Sequence, residues 1–482
     1  MNYRIVSKIL GQVLFIEAGL MVVPLIVAAI YGENVHPFTV SVLITAAAGA
    51  ALYAGGVHAQ GAIRTREGFV SVALSWIVIS LFGTLPFVLS GAIPNWIDAF
   101  FEIVSGFTTT GSSILTEIQS LPRGVLFWRS FSHWIGGMGV LVFMMAVMPM
   151  DDEHSMHLLR AEVPGPVKGK LAPKMRTTAR MLYVIYIVLT VVEIVVLLIG
   201  GMPLYDALVN SFGTAGTGGF SVLNASIGGY NSVYAEMVIA VFMLLFGINF
   251  NLYAMLVMRR TLKVFKSQEL FLYLGLVAFA TVTIALNILP LYQNFAQCMR
   301  YSFFQVSSII TSTGYGSADF NLWPQYSRTL LVILMIVGAC AGSTGGGTKV
   351  SRLLIMIKQC HNDIRRQVFP RAVSAVRIDD QRVDDRTVRT TLSFYALYAI
   401  AAILGTLLLS LQGLDLETTF TSVIACLSNI GPGLGLVGPA GNFSMWNAFG
   451  KLLLSACMLL GRLEFFPMLM LFTPGVWVRQ KK

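Results

Sequence analysis

Long runs of apolar residues, separated by short polar stretches, recur from one end of the chain to the other. A helix that crosses a bilayer requires roughly 17–25 mostly apolar residues. This pattern predicts ten crossings, near residues 10–31, 38–57, 69–91, 126–149, 181–200, 234–258, 270–290, 328–357, 391–411 and 446–471. The first apolar run is longer than the ~7–15 residues of a signal-peptide core, so we expect it to remain as a transmembrane helix.

Four further apolar segments are helix-like but too short to cross, near residues 97–111, 204–218, 300–314 and 417–431. Each is followed by a stretch rich in Gly, Thr and Ser, which would make a poor lipid-facing helix. Irregular backbone at membrane depth is stable only where it is buried in protein or lines a wet cavity. The pattern therefore predicts four re-entrant segments around a pore.

These four segments align as an internal repeat. In chain order they read FFEIVSGFTTTG (100–111), ALVNSFGTAGTG (207–218), FFQVSSIITSTG (303–314) and FTSVIACLSNIG (420–431). Each ends on a glycine and lies between two predicted crossings. The crossing that follows carries a second glycine, which is Gly136 or Gly137, Gly247, Gly342 and Gly461 in the four repeats.

The predicted fold is an all-α integral membrane protein with four pseudo-repeated helix–pore-loop–helix units around a central pore. Two extra transmembrane helices at residues 1–57 precede the repeats. The repeats are expected at 58–150, 151–258, 259–358 and 359–482, and the last helix of the third is expected to be broken.

Composition and charge agree with a membrane location. Hydrophobic residues make up 56% of the chain and charged residues 12%, which excludes a water-soluble globule. The formal net charge is +10, but most Lys and Arg fall in loops near 64–66, 160–180, 259–266 and 365–389, all on one side of the predicted topology. The positive-inside rule makes that side cytoplasmic, together with both termini, and removes any need for a nucleic-acid partner.

The four glycine loops suggest cation chemistry. A ring of backbone carbonyls replaces the hydration shell of K⁺ without a fixed charge that would trap the ion, and glycine lets consecutive carbonyls turn toward one axis. The candidate K⁺-binding filter residues are Thr109, Thr110, Gly111, Thr217, Gly218, Thr313, Gly314, Ile430 and Gly431. One such loop alone would be read as a turn or a helix-packing contact, whereas four in register indicate a filter. The acidic residues Asp98, Asp206 and Glu417 are expected to cap the short helices, with attraction of cations to the pore mouth as the alternative role.

A candidate gate lies in the stretch GACAGSTGGGTKV at 338–350, where five glycines within ten residues disfavour a continuous helix. The residues predicted to form an obstructing loop below the filter are Gly342, Ser343, Thr344, Gly345, Gly346 and Gly347. A simple packing kink is the alternative. Arg462 lies deep in the last predicted crossing, where a cation is costly unless it faces a cavity or a partner. It is interpreted as a pore-facing barrier, with a structural pairing to another helix as the alternative.

The filter sequences, together with HWIGGMG (133–139), AGSTGGGTK (341–349), SNIGPGLG (428–435) and GRLEFF (461–466), resemble the Trk/Ktr/HKT superfamily of potassium transporters. The chain is most similar to the TrkH type of membrane subunit, because two leading helices favour Trk over the shorter Ktr subunit. The fourth loop departs from the Thr-x-Gly pattern with Asn429-Ile430-Gly431-Pro432.

The resemblance implies K⁺ uptake across a bacterial cytoplasmic membrane by a homodimer. It also implies gating by a cytosolic, nucleotide-binding regulatory subunit of the TrkA type. The chain itself would bind no cofactor, K⁺ would be the transported ion, and nucleotide would bind the partner. In plant relatives a serine at the first filter glycine is associated with Na⁺ preference, so glycine in all four loops favours K⁺.

Two other functions stay open from the residues alone. One is a sodium-coupled or weakly selective K⁺/Na⁺ transporter of the Ktr type, because sequence fixes neither the driving ion nor the selectivity ratio. The other is a polytopic membrane enzyme. Against the enzyme, the six histidines are scattered and the five cysteines form no metal-ligand cluster.

Overall fold

The computed structural model describes residues 1–58, 65–139, 175–259, 266–370, 375–379 and 381–477. Helices dominate these ranges. The exception is an antiparallel hairpin of Arg377–Ile378 with Gln381–Arg382, in which Ile378 lies opposite Gln381. Large parts of three basic loops predicted to face the cytoplasm, 59–64, 140–174 and 260–265, lie outside the described residues, whereas most of 365–389 is described.

Two long helices, Tyr3–Ile30 and His36–Gly56, precede the repeats and pack closely together. Small residues allow the close approach, since a Cβ at Gly11 would lie 2.6 Å from the Tyr53 backbone nitrogen. The pair also lies against repeat 1, where a Cβ at Gly124 would lie 2.9 Å from the Ala28 side chain. These helices therefore act as packing elements for the first repeat.

Each repeat contains a leading helix, a short pore helix and a trailing helix. The leading helices are Thr65–Gly83, Met175–Ile199, Gln268–Tyr292 and Asp385–Ser410. The pore helices are Trp96–Phe107, Leu204–Gly216, Phe295–Ile310 and Leu416–Ser428. The trailing helices are Arg123–Gly137, Val233–Phe246, Gln325–Val337 and Ala448–Arg462. The predicted fold class is confirmed.

Five further helices complete the described fold. These are Leu85–Leu89, Phe250–Arg259, Val350–Val368, Phe466–Leu471 and Pro474–Trp477. Single 3₁₀ turns occur at Ser226–Tyr230, Phe320–Leu322 and Gly435–Val437. All three 3₁₀ turns lie between a pore helix and its trailing helix.

Six of the ten predicted crossings are single apolar helical segments long enough to span a bilayer within the described ranges. They are Tyr3–Ile30, His36–Gly56, Thr65–Leu89, Thr177–Ile199, Gln268–Tyr292 and Asp385–Ser410. The other four predicted crossings contain the trailing helices, and these are not continuous where the structure describes them.

The predicted crossings 234–258 and 446–471 are wrong as single helices. The first is two helices, Val233–Phe246 and Phe250–Val257, bent by 84°. The second stops at Arg462 because Glu464 and Phe465 have positive φ values of 54° and 70°. The predicted break near 338–350 is present, and residues 140–149 of the crossing at 126–149 lie outside the described chain.

Two pore helices are capped by residues other than those predicted. Asn95 accepts hydrogen bonds from the Ile97 and Asp98 backbone N–H groups, and Asp415 accepts one from Thr418 at 2.8 Å. Hydrogen bonds from Thr418 hold the pKa of Asp415 below its usual range. The capping roles expected for Asp98 and Glu417 are therefore wrong.

The acidic residues of the first turns instead form contacts between elements. Lys451 Nζ lies 2.6 Å from Asp98 Oδ1, and Arg328 pairs with Glu417. Asp206 lies in the first turn of its pore helix, which has no side-chain cap. The pairs of Asp98 and Glu417 each join a pore helix to the trailing helix of a neighbouring repeat.

Candidate ion filter and gate

All four pore helices end in the same backbone motif. One residue donates its N–H to the carbonyl three positions back, and the next donates to the carbonyl five positions back, as in a Schellman cap. The bonds that reach five positions back run from N–H to carbonyl oxygen. They join Thr110 to Ser105 (2.9 Å), Gly218 to Gly213 (2.8 Å), Thr313 to Ser308 (2.8 Å) and Ile430 to Ala425 (3.0 Å). The pore helices thus take up the N–H groups of the loops that follow them.

The first residue of each motif has a left-handed backbone. The φ values are 56° at Thr109, 57° at Thr217, 59° at Ser312 and 53° at Asn429. Asparagine tolerates this region, but a β-branched threonine is an outlier there. Such strain persists only where the surrounding structure imposes it, and it is concentrated at functional sites.

A glycine with positive φ follows two positions later in every loop. These glycines are Gly111 (82°), Gly219 (78°), Gly314 (82°) and Gly431 (93°). The predicted alignment is therefore wrong by one residue in repeat 2. Gly218 occupies the position of Thr110, while Gly219 is the counterpart of Gly111. Two adjacent glycines at 218 and 219 left the sequence unable to distinguish these registers.

The four loops contact one another in a closed ring. A Cβ at each positive-φ glycine would meet a carbonyl oxygen of the next loop. The contacts run from Gly111 to Gly218 O, from Gly219 to Thr313 O, from Gly314 to Ile430 O, and from Gly431 to Thr110 O at 2.9 Å. In each loop, the middle residue is the one between the left-handed residue and the positive-φ glycine. Its carbonyl contacts the glycine of the preceding loop, in repeat order. Glycine is required on both conformational and steric grounds.

The carbonyls in this ring are free to bind an ion. Those of Thr110, Gly218, Thr313 and Ile430 accept no hydrogen bond from any residue that the structure describes. A cavity of about 140 Å³ lies beside the ring and is lined by all four positive-φ glycines. Among the described residues, no group of three His, Cys, Asp or Glu is placed to hold a metal ion. The chemistry offered is therefore that of neutral carbonyl dipoles.

Hydroxyl groups brace two of the loops in the same way. Thr108 Oγ1 lies 2.8 Å from Thr110 Oγ1, and Thr311 Oγ1 lies 2.8 Å from Thr313 Oγ1. The fourth loop uses an amide instead, since Asn429 Nδ2 donates to Thr110 Oγ1 at 2.9 Å. The sequence departure at Asn429 therefore preserves the loop backbone and links the fourth loop to the first.

Replacing Asn429 is expected to separate its two roles. Asn429→Gly keeps the left-handed backbone but loses the hydrogen bonds to Thr110 and to Met458 O (3.0 Å), so stability should fall by about 1–2 kcal/mol. Asn429→Ala also strains the backbone and should cost more. Thermal unfolding of the purified protein in detergent measures both. Equal stability of the two variants would contradict the backbone role.

The candidate gate is a non-helical loop between Val337 and Val350 that joins several repeats. Its Cys340 N–H donates to Gly247 O at 3.1 Å, and its Gly342 carbonyl accepts from Phe250 N–H at 3.0 Å. These bonds attach the loop to the bend in the trailing segment of repeat 2.

The same loop contacts the filter loops of repeats 3 and 4. Gly346 N–H donates to Ser312 Oγ, and Gly347 N–H donates to Ser428 O at 2.9 Å. A Cβ at Gly345 would lie 2.8 Å from Thr311 O. The glycines at 345–347 therefore let the loop lie directly against the ends of two pore helices.

Arg462 connects the loop to repeat 1. Its guanidinium donates to Thr344 O at 3.1 Å, and to Gly136 O and Gly137 O at 2.5 and 2.7 Å. Gly136 and Gly137 end the trailing helix of repeat 1, whose last carbonyls favour a cation. The arginine thus bridges the ends of two trailing helices and the loop.

Sequence reasoning missed Lys349, which is buried and donates from Nζ to Gly345 O. This bond joins the end of the loop to a glycine four residues earlier, so it stabilises the folded-back shape. The available signal was a lysine one residue after three consecutive glycines, in an otherwise apolar segment. Ser312 was missed because the aligned threonines on either side were more prominent.

Sequence comparison gives a consistent result. Residues 35–476 match the TrkH family, described as cation transport protein. The Trk system potassium uptake protein TrkH of Salmonella typhimurium is 38% identical over 99% of this chain and 100% of its own length. The Trk system potassium uptake protein TrkG of Escherichia coli is 34% identical over 99% of both chains. These relatives are named as transporters, not enzymes.

Structural comparison agrees with the sequence. The crystal structure of the potassium transporter TrkH from Vibrio parahaemolyticus superposes with a TM-score of 0.89 and 32% identity, covering 99% of this chain and 100% of that one. The match therefore includes all four repeats and the two helices before them. The repeat architecture, the ring of glycine loops and the sequence matches converge on one conclusion: the chain belongs to the TrkH family of cation transport proteins.

Proposed function

We propose that this chain takes up K⁺ across a bacterial cytoplasmic membrane, through a filter made by its four glycine loops. The observation that carries the proposal is the closed ring, in which each positive-φ glycine contacts a free carbonyl of the next loop. Such a ring replaces water around a dehydrated cation without a formal negative charge. The relatives named as potassium uptake proteins support K⁺ as the ion.

The four pore helices add to the cation preference. Each helix ends at a filter loop, so the partial negative charge of its C-terminus lies beside the ring. The Schellman caps use loop N–H groups, which would repel a cation if they were left exposed at the ring. Both features favour K⁺ at the ring through oriented dipoles alone.

The loop between Val337 and Val350, together with Arg462, is the proposed gate. It lies against the ends of two pore helices and is attached to trailing segments of three repeats. Movement of those segments would therefore move the loop. A guanidinium in the pathway also opposes a permeating cation, so opening requires Arg462 to leave its carbonyl partners or the loop to shift with it.

The proposed assembly is a homodimer with a cytosolic, nucleotide-binding regulatory subunit of the TrkA type. Support comes from the family and from the relatives' names, which refer to a Trk system. Both termini and the basic loops would face the cytoplasm, where the regulatory subunit is found. The chain would bind no cofactor of its own, and the nucleotide would bind the regulatory subunit.

The test is K⁺ uptake in a bacterial strain that lacks its own K⁺ uptake systems. Co-expression of this chain with a matching regulatory subunit should restore growth at low K⁺. Absence of growth despite verified membrane insertion of both proteins would contradict the proposal.

Flux in liposomes measures the ion preference directly. The purified chain should conduct K⁺ in preference to Na⁺, and nucleotide-loaded regulatory subunit should change the rate. Equal K⁺ and Na⁺ flux would instead favour the weakly selective transporter. K⁺ flux that depends on a Na⁺ gradient would favour the sodium-coupled one.

A further inference from the structure

A buried ion pair lies behind the first filter loop. Arg129 of the trailing helix donates from Nε to Glu102 of the pore helix at 2.6 Å. The side chains are 3% and 0% exposed. A buried pair of this kind stabilises a fold less than well-packed apolar residues of the same volume often do, so its presence calls for a functional reason.

The pair reaches the outer segments of two filter loops. Glu102 accepts from Ser113 Oγ and from Ile114 N–H, both at 2.9 Å, just after Gly111. Arg129 donates from Nη1 to Ser221 O at 3.3 Å in the second loop. Its guanidinium also lies 3.5 Å from the centre of the Phe220 ring. The pair therefore ties repeat 1 to repeat 2 beside the ring.

The other three repeats place neutral residues at the same positions. Nine residues before the positive-φ glycine, the counterparts of Glu102 are Asn210, Gln305 and Ser422. At the seventh residue of the trailing helix, the counterparts of Arg129 are Ile239, Leu331 and Leu454. All six are fully buried. Three repeats therefore form the same fold with neutral residues at these positions. Repeat 1 differs from them in having a charged pair there.

The second loop has a particular need for outside support. Its middle residue is Gly218, which has no side chain to make the hydroxyl contacts that brace Thr110 and Thr313. Thr217 Oγ1 donates only to the adjacent Gly216 carbonyl among the described contacts. The junction of loops 1 and 2 is also where Gly111 meets Gly218, so two glycines face each other there. Arg129 supplies the connection that the loop's own side chains do not.

We propose that the Glu102–Arg129 pair is a positioning element that sets the K⁺ over Na⁺ preference by holding the first and second filter loops at a fixed separation. This inference rests on the proposed filter function. The planar guanidinium binds Glu102 and the second loop at once, and charge-assisted hydrogen bonds are stronger than neutral ones. The pair has no net charge, although Arg129 lines the cavity beside the ring, and the contribution proposed for the pair is rigidity.

The test imports the neutral residues of repeat 3 into repeat 1. The double variant Glu102→Gln/Arg129→Leu reproduces Gln305 and Leu331, a combination that this fold already accommodates and that leaves no unpaired charge. In liposomes its K⁺/Na⁺ preference should fall about tenfold, as expected when a charge-assisted hydrogen bond is lost. Arg129→Lys keeps the positive charge but loses the planar guanidinium that binds two partners at once. Its K⁺/Na⁺ preference should therefore fall by a smaller factor.

The matched control is Glu236→Gln/Arg300→Leu. It removes another pair between a pore helix and a trailing helix, at 3.2 Å, and the contacts that the structure describes for this pair involve no filter loop. This control should keep the wild-type ion preference. Reduced flux with an unchanged K⁺/Na⁺ ratio in the repeat-1 variant would overturn the proposal, because a purely structural role lowers the amount of active protein only.

Two further outcomes are decisive. If the double variant does not reach the membrane, Arg129→Lys decides, and an unchanged ratio in that variant overturns the proposal. A wild-type chain that conducts K⁺ and Na⁺ equally would refute the proposed function itself. The wild-type measurement therefore separates failure of the filter proposal from failure of the positioning proposal.

Discussion

Gly111→Ser is expected to lower the K⁺ over Na⁺ preference by about tenfold or more. The residue has a φ of 82°, and a left-handed backbone costs a non-glycine residue roughly 1–2 kcal/mol, or about tenfold in an equilibrium. The new Cβ would also collide with the Gly218 carbonyl oxygen, one of the four in the ring. Competition between K⁺ and Na⁺ for flux into liposomes measures the change.

A control separates backbone strain from the collision. Gly201 has a φ of 83°, but a Cβ there would meet nothing within 4 Å. Gly201→Ser should therefore lose similar stability while keeping the wild-type ion preference. If Gly111→Ser kept its preference, Gly111 would not belong to the filter. If both variants lost it equally, the effect would come from destabilisation rather than from the ring.

Arg462→Ala is expected to raise K⁺ flux in the absence of the regulatory subunit by about tenfold. Three carbonyls, of Thr344, Gly136 and Gly137, would lose their donor. A single hydrogen bond to a charged group contributes about 1.5–3 kcal/mol, which is enough to shift a closed state tenfold toward an open one. Flux measured with and without nucleotide-loaded regulatory subunit would also show a smaller response to the partner.

Arg328→Ala is the control for loss of an arginine. Arg328 pairs with Glu417 at the start of the fourth pore helix, and both side chains are partly exposed. Exposed or half-exposed pairs contribute little, so basal flux and regulation should be close to wild type. Unaltered flux and unaltered regulation in Arg462→Ala would instead assign Arg462 a structural role in helix packing.

The sequence predicted the repeat unit well because apolar length and glycine spacing are properties of each segment by itself. The loops at 111, 314 and 431 were placed in the correct register by their terminal glycines. The second loop was not, because Gly218 and Gly219 are chemically identical and only the contact with Thr313 O distinguishes them. Such a distinction depends on a neighbouring repeat.

The interruptions of the trailing segments were predicted in one repeat and missed in two. The glycine-rich stretch before Lys349 is unfavourable for a helix by its own composition. The bend after Phe246 and the break after Arg462 have weaker local signals, which are Gly247 and Asn249 at the first point and Glu464 and Pro467 at the second. Gly247 and Arg462 also make hydrogen bonds to other repeats at these points. Tertiary contacts therefore act together with local preference there.

The Glu102–Arg129 pair shows the same limit. Each residue alone reads as a charge in a mostly apolar segment, and their separation of 27 residues gives no helical or strand spacing. Alignment of the four repeats would have shown that Glu102 is charged where the other three repeats have a neutral residue. It would not have identified Ser221 as a partner, since that contact crosses between repeats.

One link of the ring differs from the others in the chain length that it spans. The first three links join loops about 100 residues apart, whereas Asn429 to Thr110 and Ser112 to Gly431 each join residues 319 positions apart. A ribosome makes the chain from its N-terminus, so the first three loops are synthesised before the fourth. The ring of loops can therefore close only after residue 431 has been added. A chain that terminates before residue 431 would lack the loop that joins the third to the first, and its ring would stay open.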